Sequence, residues 1–196
     1  MSGIFEQPDD AATPLREEER RALKLAYITN RAQLNAAEQE NIARGQEWAL
    51  RRRRNLLTES GIKSLHRHML GDVWRWAGQF RTHEVNIGID HWKIPIELRV
   101  LLDDAKTWID TKSYATDEIA MRLHHRLKQI HPFPNGNGRH ARLLADLIVM
   151  QLGGKRFSWG GATDLQKAGD VRGRYVAALK AADDYDLEPL LAFARS

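Results

Sequence analysis

The sequence predicts a single, mainly α-helical domain that carries one small β-hairpin. Most of the chain shows apolar residues spaced three and four positions apart, which is the periodicity of an amphipathic helix. Strict alternation of apolar and polar residues occurs in one short stretch, at Val85, Ile87 and Ile89. The 196 residues, of which 42% are hydrophobic and 29% are charged, suit one soluble globular domain with its own core.

The first third of the chain predicts a tail followed by three helices. Residues 1–12 lack periodicity and are expected to form a loose tail, after which a short helix opens at Thr13 and the proline that follows it. A second helix is predicted to begin at Asn35, because the glutamate three positions later completes a pattern similar to a capping box. Thr58 is expected to cap the third helix. The apolar residues of that helix keep helical spacing at Ile62, Leu65 and Met69.

The β-hairpin is predicted over residues 85–94. Its first strand covers 85–89, its second contains Trp92 and Ile94, and Pro95 ends it. A two-stranded hairpin does not hold a core by itself. We therefore expect this hairpin to lie over the helices as an edge or flap.

Helical periodicity returns after the hairpin and continues to the end of the chain. Five further helices are predicted, from Leu98 to Trp108, Thr116 to Ile130, Arg139 to Leu152, Val171 to Ala182 and Leu187 to Ala194. Gly153 and Gly154 form the stop signal of the third of these, and Asp186 is expected to cap the last. No internal repeat or linker interrupts the pattern, so one domain is expected.

Composition limits the classes of partner and chemistry. The chain has no cysteine, which excludes disulfides, thiolate metal sites and cysteine catalysis, and which fits a cytoplasmic location. No apolar run is long enough to span a membrane, so no membrane partner is expected. Arg51–Arg54 supply four positive charges, as many as the formal net charge of +4. Since no aromatic residues interleave this run, a solvated helix face is favoured over a nucleic-acid surface.

A turn-rich stretch from Ile130 to Arg142 carries the strongest functional signal. Its two prolines favour an extended approach, and the Asn-Gly-Asn-Gly sequence at 135–138 can turn several backbone N–H groups toward one point. The helix that follows adds its positive N-terminal dipole, so the stretch predicts an anion site that suits phosphate. His131 lies at the edge of this site, where an imidazole can act as a base.

The stretch from His131 to Arg142 resembles the signature of the Fic (filamentation induced by cAMP) family, His-x-Phe-x-(Asp/Glu)-Gly-Asn-Gly-Arg-x-x-Arg. Every fixed position matches except Asn135, where the family carries an acid. The resemblance implies a Fic-like helical bundle with a β-hairpin flap over the active-site loop, and it covers residues 35–196 as the Fic domain. Residues 1–34 are then an N-terminal tail and helix with an expected regulatory role. The motif is also similar to a subgroup from mobile genetic elements called mobile mystery protein B.

Fic proteins typically move AMP from ATP to a Ser, Thr or Tyr hydroxyl of another protein, so the resemblance implies a protein adenylyltransferase. His131 would accept the proton of the hydroxyl as general base. The triphosphate of ATP would be held by the loop and the helix start, through Asn135, Gly136, Asn137, Gly138, Arg139 and Arg142. By the same resemblance, the side chain of Asn137 contacts a phosphate, Arg139 holds the β-phosphate and Arg142 holds the γ-phosphate.

Asn135 stands where the family's acid binds the Mg²⁺ that bridges the α- and β-phosphates. An amide oxygen can ligate a hard cation but carries no charge, so the sequence predicts weak Mg²⁺ binding. Phe133 is expected to anchor the loop in the core. His124, His125 and His140 are expected to have packing or surface roles, because adjacent histidines cannot share one helix face as metal ligands.

The resemblance also implies a target-binding flap and an adenine pocket. The flap residues expected to hold the target segment are Val85, Asn86, Ile87, Gly88 and Ile89. Adenine is expected near Tyr175, Leu179 and Asp183, on the helix that follows the motif. The alternative is that these helically spaced residues belong to the plain core.

Many Fic proteins carry an inhibitory helix of pattern (Ser/Thr)-x-x-x-Glu-(Gly/Asn). Glu40 matches the end of that pattern without its hydroxyl residue, and Gln33 follows a threonine correctly but lacks the acid. These two residues are the regulatory candidates, with a solvated helix glutamate and restraint by a separate inhibitory partner as the alternatives.

The sequence leaves other functions open. A Fic-type transferase can move another nucleotide, a phosphate or phosphocholine, and the loop sequence constrains this choice weakly. Because Asn135 replaces the acidic metal ligand, a catalytically weakened nucleotide-binding regulator is a further alternative. The expected substrate is ATP, and the expected partner is a target protein with a hydroxyl side chain. Assembly into a homo-oligomer is compatible with the sequence.

Overall fold

The computed structural model describes residues 16–161, 165 and 169–196, and its architecture is a helical bundle. The eight α-helices of this part of the chain are α1 (Glu17–Arg20), α2 (Arg31–Leu50), α3 (Glu59–Leu70), α4 (Ile94–Thr111), α5 (Thr116–Ile130), α6 (Asn137–Gln151), α7 (Asp170–Asp183) and α8 (Glu188–Arg195). Short 3-10 turns cover His91–Lys93 and Trp159–Gly161. The prediction of a mainly helical domain is confirmed. None of the described helices is both long and apolar enough to cross a membrane.

The N-terminal boundaries differ from those predicted. Residues 1–12 and the expected opening at Thr13 lie outside the described residues. Helix α2 begins at Arg31 instead of Asn35, because the extended Asn30 accepts the backbone N–H of Gln33 through its side chain at 3.0 Å. The predicted boundary between residues 34 and 35 therefore falls inside α2.

Other helix termini follow the sequence signals. Thr58 accepts the N–H of Gly61 at 3.0 Å and caps α3 as expected. Helix α5 begins at Thr116, and α6 ends two residues before Gly153, whose φ of 86° is a left-handed conformation that glycine tolerates. The start of α8 differs from the prediction, because its N-cap is Leu187 instead of Asp186, although Asp186 accepts the N–H of Glu188 at 3.2 Å.

The predicted β-hairpin is wrong. No strand occurs in the ranges that the structure describes; the one bridge of strand type joins Leu23 to Trp74. Residues 85–89 form an irregular segment, and Ile94 begins helix α4 with Pro95 in its first turn. Proline is compatible with a helix start because the first N–H groups of a helix have no internal acceptor. The proline that was expected to end a strand therefore lies at the start of a helix.

Two apolar cores meet at the central helices α5 and α6. The larger core gathers α2, α3 and α4 against Leu123, Leu127 and the inner face of α6. The smaller core packs α7 and α8 against Ala120, Met121 and Val149. Burial of each large apolar side chain stabilises the fold by about 1.5–3 kcal/mol. Because α5 and α6 are packed on both sides, the short loop that joins them is held firmly at each end.

Candidate functional site

The loop between α5 and α6 turns the chain through a left-handed residue at each end. His131 follows α5 with φ 51° and ψ 60°, and Gly136 precedes α6 with φ 78° and ψ 0°. At Gly136 the left-handed conformation favours glycine, and a Cβ atom there would lie 2.5 Å from Leu70 Cδ1, so this leucine side chain would have to shift. A non-glycine residue such as His131 adopts the left-handed region at some cost and is therefore notable.

Phe133 fixes the middle of the loop to α3 and α6. Its ring is fully buried and stacks on His66 with centroids 3.7 Å apart, and His140 meets its edge at 5.2 Å. Because His66 Nδ1 accepts the N–H of Gly78 at 2.9 Å, its Nε2 carries the proton and donates to the Asn135 carbonyl at 3.0 Å. Burial holds the pKa of His66 well below its usual range, so this support stays neutral.

Asn137 braces the loop from inside. Its Oδ1 accepts the N–H of Phe133 at 2.9 Å, and its Nδ2 donates to the Phe133 carbonyl at 2.7 Å. The side chain is buried and uses both ends of its amide on the backbone. In this arrangement the Asn137 side chain holds the loop, whereas the resemblance assigns it a phosphate contact.

Asn135 also uses its side chain locally. Its Oδ1 accepts the N–H of Gly136 at 2.6 Å, so this backbone donor is not directed at an anion. The described residues contain no group of three or more His, Cys, Asp or Glu side chains that could hold a metal ion. A neutral amide oxygen that already accepts a hydrogen bond does not fit a strong Mg²⁺ site.

The N-terminus of α6 presents backbone donors at the site. The N–H groups of Asn137, Gly138 and Arg139 belong to its first turn, where a helix has no internal acceptors. These donors and the helix dipole favour a negative group at this end. The cradle of amides is thus shifted one residue along from the predicted set, since Gly136 is bonded to Asn135.

His131 begins the loop that leads to this helix end and is 3% exposed. Burial, together with the positive charges of Lys128 and Arg81, lowers its pKa to about 3, although a hydrogen bond to the Lys128 backbone acts in the opposite direction. The imidazole is therefore neutral at physiological pH. A neutral imidazole is the form that accepts a proton.

The segment 85–89 covers His131 without forming a strand. A Cβ atom at Gly88, whose φ is 121°, would lie 2.8 Å from His131 Cβ. Asn86 and Ile87 are exposed, whereas Ile89 packs against the main core and Val85 is half-buried. The segment lies over the motif as the resemblance implies, but its backbone is irregular.

Arg81 holds this segment on the motif, and no sequence pattern indicates this role. Its buried guanidinium donates to the carbonyls of His131 at 2.7 Å and His83 at 2.9 Å, and also to that of Ile89. Its own N–H donates to the Pro132 carbonyl at 2.9 Å. An arginine with several carbonyl partners leaves no pattern in the sequence, because those partners are backbone atoms.

The regulatory candidates lie away from the loop, and a neighbouring glutamate meets it instead. Glu40 has a 72% exposed side chain and pairs loosely with Arg44 at 3.7 Å, and Gln33 accepts the N–H of Thr29 at the start of α2. Glu38 is buried and accepts from Arg139 Nη1 at 2.7 Å.

Glu38 therefore neutralises the first arginine of the motif. It also accepts from Trp74 Nε1 at 2.7 Å. Burial alone would raise its pKa, but the Arg139 charge and hydrogen bonds hold the pKa below its usual value. In the sequence, Glu38 lies one helical turn after Leu34, and this spacing places it on the buried face of α2.

The expected adenine residues line the side of α7 that faces α5 and α6. Tyr175 is buried, and its hydroxyl forms a hydrogen bond with His124 Nε2 at 2.9 Å. The centroid of its ring lies 5.6 Å from Cζ of Arg142. Leu179 is half-buried against the smaller core. Asp183 is exposed and accepts from His125 at 2.8 Å and from Gln129 at 2.9 Å. The structure thus brings Tyr175 to the second motif arginine and leaves Asp183 at the rim.

Comparison with known proteins finds Fic proteins among the relatives of this chain. The Fic/DOC family model matches residues 56–149. "Protein adenylyltransferase Fic" of Aedes aegypti is 29% identical over 143 residues, covering 71% of this chain and 27% of the relative. The protein of the same name from Drosophila melanogaster is 30% identical over 141 residues, with 70% and 27% covered. The chain thus spans about a quarter of the length of these curated relatives.

Solved structures share the fold. Fic-1 (aa134–508) from C. elegans has a TM-score of 0.61 and 26% identity, with 89% of this chain and 56% of that chain covered. The BepC protein from Bartonella tribocorum, solved with bound AMPPNP, has a TM-score of 0.67 and 17% identity, with 92% and 97% covered. The second likeness concerns the fold alone.

Proposed function

We propose that this chain, which belongs to the Fic/DOC family, is a protein adenylyltransferase that moves AMP from ATP to a Ser, Thr or Tyr hydroxyl of a target protein. One observation carries the proposal. A neutral, buried imidazole at His131 begins the short loop that ends at a helix N-terminus, whose first amides have no internal acceptor. We assign this activity to residues 35–196 and keep a regulatory role of residues 1–34 as a prediction.

The triphosphate of ATP binds at the start of α6. The N–H groups of Asn137, Gly138 and Arg139 donate to phosphate oxygens, and the Arg142 guanidinium adds a positive charge one turn further along. Phosphoryl-type transfer depends mainly on positioning and on neutralising charge, and both come from rigid elements here. Adenine lies toward Tyr175 and Leu179, with Asp183 at the rim.

His131 removes the proton of the incoming hydroxyl. The hydroxyl oxygen forms a bond to the α-phosphorus, the bond to the β-phosphate oxygen breaks, and pyrophosphate leaves. A pKa of about 3 makes the free imidazole a weak base. A triphosphate bound nearby brings negative charge, which raises the pKa of the imidazole toward the range needed for proton acceptance.

The target segment docks against residues 85–89. This segment is favoured because Gly88 packs directly on His131 while Asn86 and Ile87 face solvent. An extended target segment that contacts these exposed residues brings its hydroxyl to the imidazole. Arg81 keeps the docking segment in place by binding its carbonyls.

No step of the proposed mechanism depends on Mg²⁺. Asn135 offers an uncharged oxygen that already binds the Gly136 amide, so it does not supply the family's acidic ligand. The same observation favours a second candidate function, a nucleotide-binding regulator with weakened transfer. Four points stay predictions: membership of the mobile mystery protein B subgroup, a cytoplasmic location, a separate inhibitory partner and assembly into a homo-oligomer.

Mass spectrometry of the purified chain tests the proposal. After incubation with ATP and either Mg²⁺ or EDTA, the chain is expected to gain a mass that matches AMP on a hydroxyl residue. The His131→Ala variant should show no gain but should bind ATP as before, because it keeps the amides of α6. CTP, GTP and UTP in parallel samples identify transfer of another nucleotide.

Two outcomes decide between the candidates. Binding of ATP without any mass gain, on the chain or on proteins of a lysate, would support the weakened regulator instead. An equal mass gain in the wild type and the His131→Ala variant would remove His131 from the reaction.

A further inference from the structure

Lys128 brings a positive charge to the start of α6 that the motif does not include. It lies on α5, three residues before His131, and its side chain is half-buried. A Cβ atom built on Gly138 would lie 3.7 Å from Lys128 Nζ and 3.6 Å from Arg142 Nη1. The ammonium and the guanidinium therefore flank the same point, next to the amides of the first turn of α6.

These two cations have no carboxylate partner among the described residues. Arg139, in contrast, is paired with Glu38 at 2.7 Å, so its charge is already balanced within the protein. A half-buried ammonium beside a guanidinium is unfavourable unless an anion joins them. The positive charge of the site therefore comes from Lys128 and Arg142 and is directed at the place where a helix N-terminus favours an anion.

We propose that Lys128 binds the terminal phosphates of the nucleotide together with Arg142, and that its charge takes the place of a tightly held divalent cation at this site. This inference rests on the proposed function for the identity of the anion as a nucleoside triphosphate. As the bond between the α-phosphorus and the β-phosphate oxygen breaks, negative charge grows on the departing pyrophosphate. Lys128 and Arg142 neutralise that charge, and the proton of the hydroxyl goes to His131.

The uncharged Asn135 agrees with this assignment. A carboxylate at position 135 would attract a divalent cation to the phosphates, whereas an amide leaves most of their charge to side chains of the protein. Two nearby cations disfavour a third positive ion at the same phosphates, because like charges at short range repel. ATP binding that is independent of metal is the consequence.

Isothermal titration calorimetry tests the inference on the full chain. The wild type is expected to bind ATP in EDTA within about threefold of its affinity in Mg²⁺. The Lys128→Met variant should lose about tenfold to hundredfold in ATP affinity in EDTA, the range of one charge-assisted contact. Its affinity for AMP should not change, because AMP lacks the terminal phosphates. Lys128→Arg should retain most of the ATP affinity, and Lys180→Met, an exposed lysine on α7, should match the wild type.

A second readout separates phosphate contact from a structural role. Burial and the charges of Arg142 and Arg172 lower the pKa of Lys128 to about 8, and the other titratable groups that face it are the neutral His124 and His131. An anion beside Lys128 raises this pKa, so the wild type should take up part of a proton when ATP binds at pH 8. Calorimetry in two buffers of different ionisation enthalpy measures this uptake, which should vanish in Lys128→Met.

The outcomes distinguish this inference from the proposed function. If Lys128→Met binds ATP in EDTA as tightly as the wild type, or takes up the same proton, the inference is wrong even where AMP transfer is observed. If the wild type binds ATP only with Mg²⁺, the inference also fails. If ATP affinity depends on Lys128 but no AMP is transferred, the phosphate contact stands and the proposed function fails.

Discussion

At the scale of single residues, the buried pair of Glu38 and Arg139 controls how the motif presents its charge. Glu38 holds Arg139 and the indole N–H of Trp74 at the same time, so it both ties α2 to α6 and cancels one motif cation. A carboxylate that is deprotonated and enclosed in this way acts as a fixed part of the site. Its effect on ATP affinity and its effect on the free energy of unfolding can be measured separately.

We predict that Glu38→Gln lowers the free energy of unfolding by about 3 kcal/mol, because Arg139 is left buried without its counter-ion. The same change should raise ATP affinity in EDTA, since the freed guanidinium can turn to a phosphate. Urea unfolding and calorimetry measure the two effects. Glu40→Gln is the matched control, and its exposed side chain should change stability by less than about 0.5 kcal/mol. Weaker ATP binding by Glu38→Gln would contradict the prediction.

At the scale of elements, Arg81 connects the irregular segment to the motif. We predict that Arg81→Met lowers the free energy of unfolding by about 3 kcal/mol, because one buried and two half-buried carbonyls lose their donor. Residues 82–90 should exchange their amide hydrogens faster, and hydrogen exchange followed by mass spectrometry detects this. Lysine should not rescue the variant, since one ammonium cannot reach three carbonyls with the geometry of a guanidinium.

Arg75→Met is the control for that experiment. Arg75 is exposed, and its side chain makes a long hydrogen bond to the Arg21 carbonyl at 3.4 Å. Its removal should leave the exchange of residues 82–90 unchanged. Equal exchange in Arg81→Met and Arg75→Met would show that Arg81 does not hold the segment.

The same elements show what the sequence could and could not predict. Helix periodicity and the cap at Thr58 depend on nearby residues, so these local signals placed most of the helices within a few positions. The strand predicted from the alternation at 85–89 is wrong, because contacts with Arg81 and His131 decide the conformation there. These contacts depend on the fold and not on the local sequence. Asn30 outcompeted Asn35 as a cap because the chain is extended at residue 30.

The functional site, like the fold, could be predicted where it depends on residues close in sequence and not where it depends on remote residues. The motif itself located the loop, the imidazole and the helix start, since all of them lie within thirteen residues of the sequence. The motif does not reveal Lys128 or Arg81 as residues of the site. Lys128 reaches the loop from α5, and Arg81 reaches it from the irregular stretch between α3 and α4. Each contributes charge or hydrogen bonds through space, and no spacing rule in the sequence reports that.

At the scale of the whole molecule, four buried histidines make the fold sensitive to acid. Burial lowers the pKa of His124 and His131 to about 3 and that of His140 to about 4, and it holds that of His66 well below the usual value. Below pH 6.5 the unfolded chain binds protons on these residues, whereas the folded chain does not. Stability is therefore fully present above about pH 7 and falls as the pH drops toward 4.

The magnitude of this effect makes it a strict test of the whole arrangement. Each histidine contributes a slope of up to about 1.4 kcal/mol per pH unit, so four together lower the free energy of unfolding by about 4 kcal/mol between pH 6.5 and 5.5. That is a large part of the stability of an ordinary domain. Urea unfolding at pH 7.5, 6.5 and 5.5 measures the slope, and His124→Gln should reduce it by about one quarter, whatever its effect on stability at pH 7.5. A free energy of unfolding that is constant from pH 7.5 to 5.5 would mean that these imidazoles reach water in the folded chain, and His131 would then lack the neutral, enclosed setting on which its role as a base depends.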